Sequence, residues 1–144
     1  MPKIENCSWG DFLRGNHRLS PIGTVAIQIT DPGDTPPEPP EDIFAERHSF
    51  QFFDAEDPTQ FFPEEKLISD TQAEEIASIL VDALKNDQDI LVHCVAGICR
   101  SGAVVEVAEM IGFDECFRYR LPNARVKRKL MEQFDLLPRG YLSR

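Results

Sequence analysis

The chain has 144 residues and a mass of 16.3 kDa, the size of one domain with its own hydrophobic core, so we expect a single domain over residues 1–144. Its 42% hydrophobic and 28% charged residues are typical of a globular protein and exclude the collagen-like, coiled-coil and wholly disordered classes. A net charge of −10 disfavours binding to nucleic acid or to an anionic membrane surface.

The sequence also indicates where the protein works. No stretch approaches the length of a membrane-spanning helix, and residues 1–6 lack the apolar run of a secretory signal. We therefore expect a cytoplasmic protein, a monomer, without a membrane partner. The four cysteines show neither the spacing of a disulfide framework nor that of a metal site, so free thiols and no metal are expected at Cys7, Cys94, Cys99 and Cys116.

The first half of the chain predicts two strands. Apolar residues alternate with others over residues 25–29, which predicts a half-buried strand that ends at the turn residues 30–33. Seven of the eleven prolines lie in residues 31–63, and within this loop-rich segment residues 49–53 have the composition of a second strand.

The second half alternates helices with a buried strand. Apolar residues at helical spacing predict a helix over residues 71–84, with Thr71 and Glu74 as its capping box. The aliphatic run at residues 90–92 predicts a strand buried on both faces, and helices are predicted over residues 101–111 and 123–134. We therefore predict a three-layer α/β/α domain with a central, mostly parallel sheet of four to five strands flanked by helices.

Residues 93–101 lie between the buried strand and the following helix, where backbone N–H groups converge into an anion site. The helix dipole, the loop amides and a nearby guanidinium all favour the thiolate of Cys94, which we predict to be a nucleophile. Arg100 can fold back over this phosphate-binding loop and offer a planar fork to two oxygens of a phosphoryl group.

The remaining loop residues have supporting roles in this interpretation. Gly97 suits a tight turn or a close approach to a ligand, Ser101 can donate a hydrogen bond to the departing Cys94 sulfur, and His93 orients the loop from behind. Cys99 either fills space or forms a disulfide with oxidised Cys94. The predicted substrate-binding residues are Val95, Ala96, Gly97, Ile98, Cys99 and Arg100.

The spacing of His93, Cys94, Gly97, Arg100 and Ser101 resembles the signature of the cysteine-dependent protein tyrosine and dual-specificity phosphatases: His-Cys, five residues with Gly third, then Arg-Ser. Residues 52–58 are similar to the strand-then-Asp segment of compact bacterial and phage-type members, and residues 122–123 to their later loop and helix start. The resemblance implies a protein phosphatase with a phosphocysteine intermediate and no metal or cofactor, whose partner is a phosphoprotein or small phosphomonoester substrate.

Expulsion of the leaving oxygen requires a general acid, and Asp54, Glu56 and Asp57 compete for the role. We favour Asp54 because it directly follows the aromatic strand, as the family's acid does. Asp57, which precedes Pro58, stays an alternative. A cycle that needs a Cys94 thiolate and a protonated Asp54 together predicts a bell-shaped pH profile with an optimum on the acidic side of neutral.

Two other classes of function are compatible with this loop. One is a phosphate-binding module that recognises phosphorylated partners without turnover, and the other is a rhodanese-like or arsenate reductase-like thiolate enzyme. Intact Cys94 and Ser101 favour the phosphatase, because a binding module needs no nucleophile. The sequence does not choose between phosphotyrosine and phosphoserine or phosphothreonine.

Overall fold

A computed structural model describes residues 1–136. Its sheet has four strands in the order β1-β4-β2-β3, and every neighbouring pair is parallel. The strands are β1 Ile4–Ser8, β2 Val25–Thr30, β3 Glu46–Gln51 and β4 Ile90–Cys94, and the helices are α1 Trp9–Arg14, α2 Asp70–Lys85, α3 Arg100–Ile111 and α4 Ala124–Gln133, with a 3-10 turn at Glu64–Lys66.

Helices cover both faces of this sheet, which confirms the predicted α/β architecture. On one face, side chains of β4 and β2 such as Val92 and Ile27 pack against α2, α3 and α4. On the other face, Leu91 and Ala26 pack against Phe12 of the short helix α1. Because β4 is an inner strand and its side chains are aliphatic, it is buried throughout, and its C-terminal end opens at the centre of the sheet edge.

Two strand predictions need correction. All six residues of β2 are buried, not half of them, because β2 lies between β4 and β3 and both of its faces are covered. Its polar Gln28 is accommodated by a hydrogen bond from its side-chain amide to the Pro37 carbonyl (2.8 Å). Strand β3 begins at Glu46, three residues earlier than predicted, because its first residues pair with β2. It ends at Gln51, two residues earlier than predicted, because the Phe53 N–H turns to the Lys66 carbonyl.

The helices agree with the periodicity, but the cap of α2 does not lie where we predicted. Ser69 caps the helix by accepting a hydrogen bond from the Gln72 N–H (3.1 Å), and the Gln72 side chain accepts one from the Ser69 N–H (3.0 Å). The helix thus begins one residue before Thr71. Asn123 caps α4 by accepting from the Val126 N–H (3.0 Å).

Strand β1 and helix α1 were not predicted from the sequence. Strand β1 has five residues with three polar side chains, and α1 has six residues, so neither produces a periodic pattern. Along residues 1–136, no helix has both the length and the apolar character needed to cross a membrane.

Candidate active site

The Cys94 loop, residues 95–99, connects the end of β4 to the start of α3. Four of its carbonyl groups point outward and accept hydrogen bonds from the surrounding scaffold. The pairs are Val95 O with Trp9 N (3.1 Å), Gly97 O with Asn6 Nδ2 (2.6 Å), Ile98 O with Leu121 N (2.9 Å) and Cys99 O with Asn123 N (3.0 Å). Because the C=O and N–H of a trans peptide point in opposite directions, the N–H groups that follow these carbonyls face the inside of the loop. The loop is therefore built to receive an anion.

Cys94 lies at the base of this loop and is 1% exposed. Its Sγ accepts a hydrogen bond from the Gly97 N–H (3.2 Å), and the Ser101 Oγ lies 3.2 Å away. Gly97 has a φ of +80°, and a Cβ there would come within 2.4 Å of the backbone of Ser8 in β1. Glycine is thus required by both its conformation and its packing.

The guanidinium of Arg100 is 4% exposed and is anchored through one nitrogen. Nη1 donates to Asp31 Oδ1 and to the Phe52 carbonyl, both at 2.7 Å. Nε is buried and has no hydrogen-bond partner among residues 1–136. The Nε–Nη2 edge, the bidentate face of an arginine, is not used by either anchoring bond.

Asp31, which directly follows β2, was not among the predicted site residues. Its position could have indicated a place in the site. The C-terminal ends of parallel strands meet at one edge of a sheet, so a carboxylate just after one buried strand lies near residues that follow another. Here the ends of β2 and β4 bring Asp31 and Arg100 together across 69 residues of sequence.

A cavity of about 290 Å³ opens above the Cys94 loop. Its lining residues are Asp31, Phe53, Asp54, Phe62, Cys94, Val95, Ala96, Cys99 and Arg100. Asp54 Oδ1 accepts a hydrogen bond from Asn123 Nδ2 (2.7 Å), which holds this carboxylate over the cavity. The other two candidate acids, Glu56 and Asp57, are exposed on the same segment and are not among the lining residues.

The other predicted substrate-binding residues divide into two groups. Val95, Ala96 and Cys99 line the cavity, whereas Gly97 and Ile98 do not. The Gly97 N–H donates to Cys94 Sγ, and the Ile98 N–H faces the inside of the loop because the Gly97 carbonyl points outward. Burial, together with the neighbouring Asp54 carboxylate, raises the pKa of the Cys99 thiol, which favours its protonated form.

His93 lies behind the loop and does not line the cavity. Its Nε2 accepts from the Gln28 side-chain amide (3.3 Å), so its Nδ1 carries the proton and faces the Cys94 carbonyl at 3.5 Å. Burial lowers the pKa of His93 from 6.5 to about 4, which keeps the ring neutral. His93 thus lies outside the cavity, and its role in orienting the loop stays a prediction.

The remaining features of residues 1–136 add no second reactive centre. Burial raises the pKa of Cys7 to about 12, so its thiol stays protonated. A larger cavity of about 700 Å³ lies beside β1 and residues 113–118, away from the Cys94 loop. Within the described part of the chain, no three His, Cys, Asp or Glu side chains gather as metal ligands.

Comparison with known proteins identifies the fold. No family model and no curated protein matches the sequence. Among solved structures, the chain is similar to the crystal structure of a human tyrosine phosphatase-like serine/threonine/tyrosine-interacting protein, with a TM-score of 0.61 and 19% sequence identity over 94% of this chain and 93% of that chain. The protein therefore has a tyrosine phosphatase-like α/β fold, as the loop motif indicated.

Proposed function

We propose that the protein is a cysteine-dependent phosphomonoester hydrolase of the protein tyrosine or dual-specificity phosphatase type. The observation that carries this proposal is the guanidinium of Arg100 beside the Cys94 loop: it is anchored through Nη1, while its buried Nε has no hydrogen-bond partner within residues 1–136. A buried donor without a partner costs about 1–3 kcal/mol. A bound phosphoryl group removes this cost, because two of its oxygens pair with the free edge of the guanidinium.

The first step of the proposed mechanism forms a bond between Cys94 Sγ and phosphorus while the bond to the leaving oxygen breaks. The loop N–H groups and Arg100 stabilise the charge on the three equatorial phosphoryl oxygens. Asp54, which lines the cavity, donates a proton to the leaving oxygen, so that a neutral alcohol or phenol departs.

The second step hydrolyses the phosphocysteine. Asp54, now a carboxylate, removes a proton from the attacking water, and the phosphorus–sulfur bond breaks. The Ser101 hydroxyl, 3.2 Å from Sγ, stabilises the departing thiolate by donating a hydrogen bond. The cycle releases inorganic phosphate and restores Cys94 without a metal or cofactor.

The cavity supports a phosphoprotein or a small phosphomonoester as the substrate. The rings of Phe53 and Phe62, with centroids 4.9 Å apart, form an aromatic wall beside the nucleophile. Among the described lining residues Arg100 is the single cation, next to two carboxylates, which disfavours substrates with several phosphates. Phosphotyrosine, whose phenyl ring fits an aromatic wall, is the side chain that we propose first.

Two alternatives remain as outcomes of the test. The solved structure described above is of a phosphatase-like interacting protein, which supports a phosphate-binding module as the second candidate. A rhodanese-like or arsenate reductase-like enzyme would use the same thiolate on thiosulfate or arsenate. The Asp54 carboxylate over the cavity favours the phosphatase over the rhodanese-like enzyme, because thiosulfate expels sulfite, which leaves without a proton, whereas a phosphomonoester expels an alkoxide or phenoxide that needs one.

The test is hydrolysis of para-nitrophenyl phosphate and phenyl phosphate in the presence of a chelator. Cys94→Ser should abolish turnover of both. Asp54→Asn should lower kcat by about 10²–10⁴-fold for phenyl phosphate and by much less for para-nitrophenyl phosphate, whose leaving group departs without a proton. Asp57→Asn, the same change on the same segment, should behave like the native enzyme.

Each contrary result has a defined meaning. A folded, reduced native protein that binds tungstate without hydrolysing either ester is the phosphate-binding module. Turnover of thiosulfate or arsenate without phosphatase activity indicates the third class. Equal loss in Asp54→Asn and Asp57→Asn would show that the general acid is wrongly assigned.

A further inference from the structure

Asn6, on the edge strand β1, is 2% exposed and lies directly behind the Cys94 loop. Its Nδ2 donates to the Gly97 carbonyl (2.6 Å) and to the Tyr119 carbonyl (3.2 Å). Its Oδ1 faces the Cys116 thiol at 3.5 Å. The side chain therefore joins β1 to the loop and to the segment before α4, across 91 and 113 residues of sequence.

The bond to Gly97 differs in kind from the other bonds that hold the loop carbonyls. The carbonyls of Val95, Ile98 and Cys99 accept from backbone N–H groups, which substitution of a side chain leaves in place. The Gly97 carbonyl accepts from a side chain. The orientation of the peptide group between Gly97 and Ile98 thus depends on the identity of residue 6.

This peptide group also has a glycine on one side, which lets it rotate more freely. Gly97 has a φ of +80°, and a glycine lacks the Cβ that restricts backbone rotation in other residues. Rotation by half a turn would direct the Gly97 carbonyl into the anion site and the Ile98 N–H away from it. A donor to the phosphoryl oxygens would be replaced by an acceptor that repels them.

We propose that Asn6 is the positioning residue of the anion site, because it holds the peptide group between Gly97 and Ile98 with the Ile98 N–H directed inward. The proposal rests on the proposed function, since it assumes that the site binds a phosphoryl group. Asn6 does not line the cavity and touches no reacting atom. Its second bond, to Tyr119, holds the segment whose Leu121 N–H binds the Ile98 carbonyl.

The test compares Asn6→Ala with Cys116→Ala. The first variant removes the donor to Gly97, whereas the second removes the thiol on the other side of the Asn6 amide and leaves that donor in place. Dissociation constants for tungstate, a phosphate analogue, are measured by calorimetry. We expect an increase of tenfold or more for Asn6→Ala, and a value within twofold of the native one for Cys116→Ala.

A second readout separates positioning from stability. Iodoacetate and iodoacetamide alkylate Cys94 at the same kind of carbon, but only iodoacetate carries an anion that the loop N–H groups attract. The ratio of the two rates cancels changes in thiol reactivity. We expect the ratio to exceed one in the native protein and to fall about tenfold in Asn6→Ala, measured at a temperature where thermal unfolding curves show that both proteins are folded.

The outcomes are distinguishable. A less stable Asn6→Ala with native tungstate affinity and a native alkylation ratio would overturn the proposal, because Asn6 would then be a structural residue only. A native protein that neither binds tungstate nor prefers iodoacetate would overturn the proposed function instead.

A third measurement uses the native protein alone, so it does not depend on whether a variant folds. In the native chain labelled with ¹⁵N, tungstate should shift the Ile98 amide resonance strongly, together with the Ala96 and Cys99 amides. Shifts at Ala96 and Cys99 without one at Ile98 would contradict the proposal.

Asn6→Ser, whose side chain keeps a polar atom but does not reach Gly97, provides a second substitution. Its expected tungstate affinity and alkylation ratio are the same as those of Asn6→Ala.

Discussion

Asp31→Asn tests whether the carboxylate beside Arg100 positions the guanidinium. The substitution keeps the shape of the side chain but removes the charge from a contact of 2.7 Å. A hydrogen bond between charged groups contributes about 1.5–3 kcal/mol, and because the Asp31 side chain is 39% exposed we reduce the expected loss of unfolding free energy to about 1 kcal/mol. Denaturant unfolding at constant pH measures this loss.

The effect on turnover should exceed the effect on stability. With an amide oxygen in place of the carboxylate, the bond from Nη1 to residue 31 loses its charge and weakens, so the guanidinium is held mainly by the Phe52 carbonyl and rotates more freely about that bond. Its bidentate edge then spends less time facing the phosphoryl oxygens, so kcat/KM for para-nitrophenyl phosphate should fall about 10–100-fold, which is about 1.4–2.7 kcal/mol of transition-state stabilisation.

Asp34→Asn is the matched control, because it makes the same charge change three residues away. Asp34 is exposed, and its side chain forms no ion pair within residues 1–136. This variant should keep native stability and native kcat/KM. If both substitutions have equal effects, the loss arises from net charge, and the positioning of Arg100 by Asp31 is refuted.

Two further predictions concern the aromatic wall and the buried histidine. Phe62 lines the cavity, so Phe62→Ala should lower kcat/KM for phenyl phosphate relative to an alkyl phosphate by several-fold. Phe61 is 76% exposed on the same segment, so Phe61→Ala should leave this ratio unchanged. The pKa of His93, about 4 when folded and 6.5 when unfolded, means that the unfolded chain gains a proton first as the pH falls. Between pH 7 and 4.5 the native protein should therefore lose about 2 kcal/mol more unfolding free energy than His93→Gln.

A specific result would contradict each of these two predictions. An aryl-to-alkyl ratio that falls equally in Phe61→Ala and Phe62→Ala would show that the loss is not due to contact with the substrate. Parallel stability curves for the native protein and His93→Gln would show that the ring is not held neutral in the folded state.

The parts of the molecule that sequence predicted correctly are those governed by neighbours along the chain. The aliphatic run of β4 and the helical spacing of α2 and α4 depend on side chains a few residues apart, so local periodicity was sufficient. Where two neighbouring residues compete for the same local role, sequence was less reliable. Ser69 caps α2 although Thr71 has an equally suitable side chain, and the choice depends on where the preceding backbone enters the helix.

The strand β2 shows why burial was harder to predict than secondary structure. The alternation along residues 25–29 predicted that one face of the strand is exposed to solvent, but in the structure both faces are buried. Whether one face of a strand is exposed to solvent depends on which helices and strands pack on that face, and these elements come from distant parts of the chain. The same reason applies to the short β1, whose five residues form a strand because they pair with β4.

The sequence by itself determined the loop that follows β4 and the candidate reactive residues in it, because Cys94, Gly97, Arg100 and Ser101 lie within eight consecutive positions. Only the tertiary structure decided which distant side chains contact these residues. Asn6 and Asp31 meet the loop across 91 and 69 residues, and Asp54, not Asp57, is the carboxylate that lines the cavity. The physical reason is that a parallel sheet brings the ends of separate strands to one edge, and the order of those strands is set by packing over the whole domain.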